Sequence, residues 1–139
     1  RLRGPKIVQI TEDHTWIARA VKEGELTPDQ SRNHPWRHVL SQCLGRADMH
    51  RIDVQAVEAQ PGERFLLCSD GLTEELPNTI IAAHLKSIRA VESAAQALIN
   101  SAKKHGGRDN ITVVIVNLLM EKLDQDGQDT DVETGFVVE

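Results

Sequence analysis

Phe65-Leu66-Leu67-Cys68-Ser69-Asp70-Gly71 and Gly106-Gly107-Arg108-Asp109-Asn110-Ile111-Thr112-Val113-Val114-Ile115-Val116 decide how this chain folds. In the first, a short apolar run of strand character ends on an acidic phrase. In the second, an acidic phrase opens a longer apolar run. A carboxylate just past one buried strand and another just before a second strand meet at one rim of a sheet, provided the strands are antiparallel neighbours. Two converging carboxylates are oxygen donors of the kind a hard divalent cation takes, Mg²⁺ or Mn²⁺ in particular. Two such ions a few ångströms apart can clamp a phosphate and activate a water between them. From spacing alone, ordinary turn chemistry is the commoner reason for Asp-Gly and Asp-Asn.

Outward from these phrases the pattern is mixed helix and strand. Gln60-Pro61-Gly62-Glu63 reads as a tight turn, with Ile52–Val57 and Arg64–Cys68 as the two arms of a hairpin. Leu72 to Leu76 reads as a helical turn. Helices are expected over about 78–86 and 91–104. In the second, Val91, Ala94, Ala95, Leu98 and Ala102 share one face, and Gly106-Gly107 ends it. Residues 110–119 are apolar on both faces, as a strand inside a layered core should be. Towards the start, Gly4-Pro5 separates a strand remnant from Ile7–Ile10. Asp13 is placed to cap a helix bearing Trp16, Ile17, Ala20 and Val21, which Gly24 stops. Thr27-Pro28-Asp29-Gln30 carries a capping box with proline at the first helical position. That helix breaks at His34-Pro35. Residues 36–51 fit strand or helical turn. From about Glu121 the chain is acidic and polar, and a loose tail over 120–139 is expected.

Composition narrows the function. The chain has 139 residues, 40% of them hydrophobic and 27% charged, enough for one domain with a real core. The net charge of -5 and an aromatic content of 3% disfavour a nucleic-acid surface, which needs cations and stacking rings. Cys43 and Cys68 form no Cys-x-x-Cys pair, so neither a zinc site nor a disulfide framework is expected. No apolar run approaches the roughly 18 residues of a membrane span. No signal peptide opens the sequence, and the expected setting is the cytoplasm. His34 and His38 have zinc spacing, but Pro35 breaks the helix that zinc spacing requires. Asp124, Asp126 and Glu133 resemble part of a calcium loop, but Lys122 stands where its first acid belongs. Arg37, Arg46 and Arg51 read as a solvated face that could also meet a phosphoprotein.

The run Phe65 to Glu74 resembles a signature of the type 2C metal-dependent protein serine/threonine phosphatases, and so does Gly106 to Val114. Ile10-Thr11-Glu12-Asp13-His14-Thr15 is similar to the family's segment after its Gly-Asp-Ser-Arg hairpin. Gly24 to Pro28 and Asn33-His34-Pro35 resemble the bacterial flap, and Val39 to Gly45 resembles the stretch after it. The resemblance runs in order through residues 1 to about 119. It implies an α/β (α+β) fold, a four-layer αββα sandwich of two antiparallel sheets flanked by helices, here with its N-terminal part missing. Residues 1–119 would be the C-terminal part of that domain, with a flap-like segment over about 13–45. The implied activity is hydrolysis of phosphoserine or phosphothreonine by attack of a metal-bound water, with no phosphoenzyme. Asp70 and Asp109 would be metal ligands for Mn²⁺ or Mg²⁺, two or more ions in the complete domain. Gly71 and Asn110 would support the metal loop. The implied partner is a phosphoprotein made by a serine/threonine kinase. The family's phosphate-binding Arg, Glu ligand, bridging Asp and proton-donating His have no counterpart here. No catalytic residue beyond the ligands is therefore assignable, and the isolated piece is expected to be inactive. A non-catalytic regulatory or interaction module with the same fold is the alternative.

Overall fold

The structure, a computed structural model, describes residues 1–32, 34–45, 47, 52–119 and the backbone of 132–138. It divides into two compact units, Arg1–Val8 with Glu58–Glu139 and Gln9–Val57.

The first unit is built on a five-stranded antiparallel sheet. Its strands are β1 (Leu2–Arg3), β2 (Lys6–Ile7), β3 (Arg64–Cys68), β4 (Thr112–Leu118) and β5 (Val132–Val138), in the spatial order β2-β1-β3-β4-β5. Gly4 takes φ +53° in the turn between β1 and β2. The β3–β4 ladder sets the register of everything else. Arg64 faces Asn117, Leu66 faces Ile115 and Cys68 faces Val113. Three helices follow β3: α1 (Asp70–Thr73), α2 (Asn78–Ser87) and α3 (Val91–His105). Helix α3 packs on β4 and β5. Its Val91, Ala94, Ala95, Leu98, Ile99 and Ala102 are all fully buried with Leu72, Leu76, Val113 and Ile115. Burying a leucine- or isoleucine-sized side chain stabilises by about 1.5–3 kcal/mol, so this helix–sheet seam holds the unit together. On the other face of the sheet, Phe65, Leu67, Val114 and Val116 are less covered, and Leu67 is 58% exposed.

Arg64 is the polar exception in this core. Its guanidinium donates to the Asn117 side chain at 2.6 Å, to the carbonyls of Ile88 at 2.6 Å and Arg89 at 3.0 Å, and to that of Leu85. Leu85 lies in the last turn of α2, Ile88 caps it and Arg89 follows, so one arginine gathers the carbonyls at and just past the helix end.

The second unit holds α4 (Trp16–Lys22) and α5 (Pro28–Arg32). The capping box forms as the sequence predicts: Gln30 N–H donates to Thr27 Oγ1, and Thr27 N–H donates to Gln30 Oε1. Thr15, not Asp13, caps α4, accepting from Ala18 N–H at 3.1 Å. Asp13 lies two residues too early and accepts from Gln9 instead. Trp16, His34 and Trp36 cluster with ring centroids 5.0–5.8 Å apart.

Two further expectations fail. Ile52–Val57 is not a strand. Ile52 and Val54 are 77% and 87% exposed, and the segment is tied by an Asp53–His14 contact at 2.9 Å. The Pro61-Gly62 turn forms, with Gly62 at φ +84°, but Gly62 N–H donates to Leu118 O and continues the β4 ladder. The tail is not loose throughout, because Val132–Val138 pairs with β4 along seven registered positions. Arg46, Arg51 and the calcium-loop positions Asp124 and Asp126 lie outside the described residues. No helix among the described residues is long and apolar enough to cross a membrane.

Candidate metal centre

The antiparallel β3–β4 pair puts the C-terminal end of β3 beside the start of β4. Asp70 follows one and Asp109 precedes the other, so both acidic phrases reach the same rim. Ser69 joins them. Its hydroxyl donates to Asn110 O at 2.8 Å and accepts from Thr112 N–H at 3.0 Å, while its own N–H donates to Thr112 O at 3.1 Å.

Gly71 then lies directly against the second phrase. A Cβ on it would stand 2.4 Å from Asn110 O and 3.1 Å from Asn110 C. Gly71 has no positive φ; what it supplies is room for the Asn110 carbonyl.

Asp70 opens α1, where its carbonyl accepts from Glu74 N–H at 2.8 Å. Its side chain is exposed, and among the described residues no hydrogen bond or ion pair engages that carboxylate. Asp109 is also exposed and accepts from Asn110 N–H through Oδ1 at 2.7 Å. The donors at this rim are hard oxygens, with no histidine or thiolate ligand, which fits Mg²⁺ or Mn²⁺ better than zinc. The set is partial: among the described residues, no three His, Cys, Asp or Glu side chains converge tightly enough to hold a metal ion. Cys68 stands at the strand end, where crowding around its sulfur, and the Asp70 charge second, push its thiol above the ordinary value.

Sequence reasoning missed Ser69 as the staple and Glu75 as a partner of the second loop. Glu75 is 3% exposed and accepts from Arg108 N–H at 3.2 Å and Arg108 Nε at 2.9 Å. The Arg108 side-chain and backbone hydrogen bonds hold its carboxyl below the usual glutamate range, against the opposing effect of burial. The Arg108 guanidinium is raised in turn, by its hydrogen bond to Glu75 and then by that charge. The available signal was an acid directly preceding the core residue Leu76. A charge there has to be paired.

The family profile for stage II sporulation protein E (SpoIIE) matches residues 13–119. The serine/threonine phosphatase Stp of Listeria monocytogenes is 37% identical over 121 residues, which are 87% of this chain and 47% of that protein. The solved serine/threonine phosphatase of S. agalactiae superposes with a TM-score of 0.79 at 33% identity, over 84% of this chain and 48% of that one. The catalytic domain of the phosphatase PstP, solved in complex with two manganese ions, superposes at 0.65 with 32% identity, over 86% of this chain and 48% of that one. The chain thus spans about half the length of the Listeria relative it matches. With its antiparallel sheet, flanking helices and matched profile, the chain belongs to the SpoIIE/PPM-type domain family, the type 2C serine/threonine phosphatases.

Proposed function

We propose that this chain supplies two metal-holding carboxylates, Asp70 and Asp109, to a phosphatase that hydrolyses phosphoserine and phosphothreonine in proteins. The observation that carries the reading is the close approach at Gly71, which leaves no space between the Asp70 turn and the carbonyl of Asn110, the residue next to Asp109. Ser69 locks that approach, so both carboxylates start from one rigid rim. Divalent ions bound there would activate water and stabilise charge on the transferring phosphoryl group. Asp70 and Asp109 would hold such ions, Gly71 would keep the loops in contact, and Asn110 would fix the Asp109 rotamer through its N–H. The PstP domain bound to two manganese ions makes Mn²⁺ the first ion to test.

The partly covered sheet face at Phe65, Leu67, Val114 and Val116 suits packing against a second sheet, the remaining layer of the sandwich. Residues 13–45 would form the flap-like segment near a phosphoprotein made by a serine/threonine kinase. A cytoplasmic setting, expected from the sequence, belongs to the same reading. Two carboxylates bind Mg²⁺ weakly, so the 139-residue chain alone would be inactive. The test is phosphopeptide hydrolysis with Mn²⁺ by the protein as its gene encodes it. Asp70→Asn and Asp109→Asn should each remove about 3 kcal/mol of transition-state stabilisation, about 100-fold in rate. Near-parental rates in both would sink the assignment.

A further inference from the structure

We propose that Glu75 is a positioning residue for this site, fixing the Gly106–Asp109 loop and so the place from which Asp109 faces the Asp70 turn. The inference rests on the metal reading of Asp70 and Asp109. It concerns a residue that touches neither.

The 106–109 loop has little to hold it by itself. Gly106 and Gly107 both take positive φ, +149° and +57°, and glycine loses more conformational freedom on ordering than any other residue. Their N–H groups return to the end of α3, at Lys103 O and Ala102 O. Beyond that point the loop is gripped by Glu75. One carboxylate oxygen accepts from Arg108 N–H and Nε, and the other faces Arg108 Nη2 at 3.4 Å. The same carboxylate fills the space beside Gly106, where a Cβ would lie 2.7 Å from Oε2. Glu75 thus fixes both the entry of the loop and the residue immediately before Asp109.

The anchor is firm on its own side. Glu75 is 3% exposed, and Leu72 and Leu76 on the same short segment are fully buried. Arg108 is 72% exposed, so the acid is the fixed member and the loop residue comes to it. Segment 69–76 therefore carries one proposed ligand at its start and the anchor for the other at its end. An ion pair with one exposed member contributes little net stability, because solvent screens the attraction, but it does select one geometry. Groups that orient metal ligands typically cost about 10- to 100-fold in metal affinity when removed.

The test is Mn²⁺ affinity of the protein as its gene encodes it, read from the free-Mn²⁺ electron paramagnetic resonance signal well below the melting temperature. Four variants are compared: Glu75→Gln, Arg108→Gln, their double and Asp109→Asn. Arg108→Gln changes an exposed side chain and keeps the fold, so it guards against misfolding of Glu75→Gln. Glu75→Gln should bind Mn²⁺ about 10- to 100-fold more weakly and Arg108→Gln less so but beyond about twofold, since its backbone N–H still donates to Glu75, and the double should be no weaker than Glu75→Gln, because both act on one link. A merely structural pair would lower the melting temperature and leave affinity alone. Affinities within about twofold of the parent in both single variants, with Asp109→Asn clearly weakened, would overturn the positioning role alone. Unchanged affinity in Asp109→Asn would overturn the metal reading and this inference with it.

Discussion

Gly71→Ala puts the site geometry at risk through a single methyl group. The added Cβ would sit 2.4 Å from the Asn110 carbonyl oxygen, about 1 Å short of ordinary van der Waals contact. The obstacle is backbone, so no rotamer change relieves it. Alanine in place of glycine in a helix gains at most about 1 kcal/mol. Against that stand about 1–3 kcal/mol of overpacking and about 1 kcal/mol for each Ser69 hydroxyl bond that opens as the loops part. The net expectation is a loss of about 2 kcal/mol, a fall in melting temperature of about 4–15 °C depending on the size of the cooperative unit. Mn²⁺ affinity should fall as well, because the displaced Asn110 carbonyl belongs to the residue next to Asp109. Gly62→Ala serves as the control. It has open space around its Cβ but φ +84°, so it should cost about 1 kcal/mol of backbone strain and leave Mn²⁺ affinity unchanged. Scanning calorimetry and Mn²⁺ titration of both variants decide the matter. A Gly71→Ala protein as stable as its parent, with parental Mn²⁺ affinity, would refute the close-approach reasoning.

Arg64→Met should destabilise the first unit by about 2–4 kcal/mol, since it leaves the buried Leu85 carbonyl and the partly buried Ile88 and Arg89 carbonyls without their donor; denaturant titration measures this, and Arg64→Lys should recover only part of the loss. Thr27→Ala should weaken α5 by about 1 kcal/mol, seen as about fivefold faster amide exchange over residues 30–32. Glu75 gives a pH signature with a definite sign. Its carboxyl is lowered on folding, so its contribution is fully present above the ordinary glutamate range and fades as pH falls through the depressed folded value. The melting-temperature gap between parent and Glu75→Gln should therefore be widest near neutrality and close in acid. A gap that widened on acidification would contradict the pairing with Arg108.

Local physics made part of this fold legible. The strands expected over 64–68 and 110–119, the one-sided face of α3 and the Thr27–Gln30 box depend on neighbours in sequence, and each forms, the second strand over Thr112–Leu118. The misses depend on partners far away in sequence. Ile52–Val57 alternates only in part, and among the described residues no strand pairs with it, so Ile52 and Val54 stay in solvent. Val132–Val138 was hidden by the acidic run before it, yet its β-branched residues suit the free edge of β4. At the site, Asp70 and Asp109 stood out because each borders an apolar strand. Ser69 and Glu75 did not, because their partners lie 41 and 33 residues away.

Anomalous diffraction from crystals of the encoded protein grown with Mn²⁺ would test the metal assignment at atomic resolution. Manganese should appear within bonding distance of carboxylate oxygens of both Asp70 and Asp109. A fully occupied manganese site that engages neither residue would contradict it.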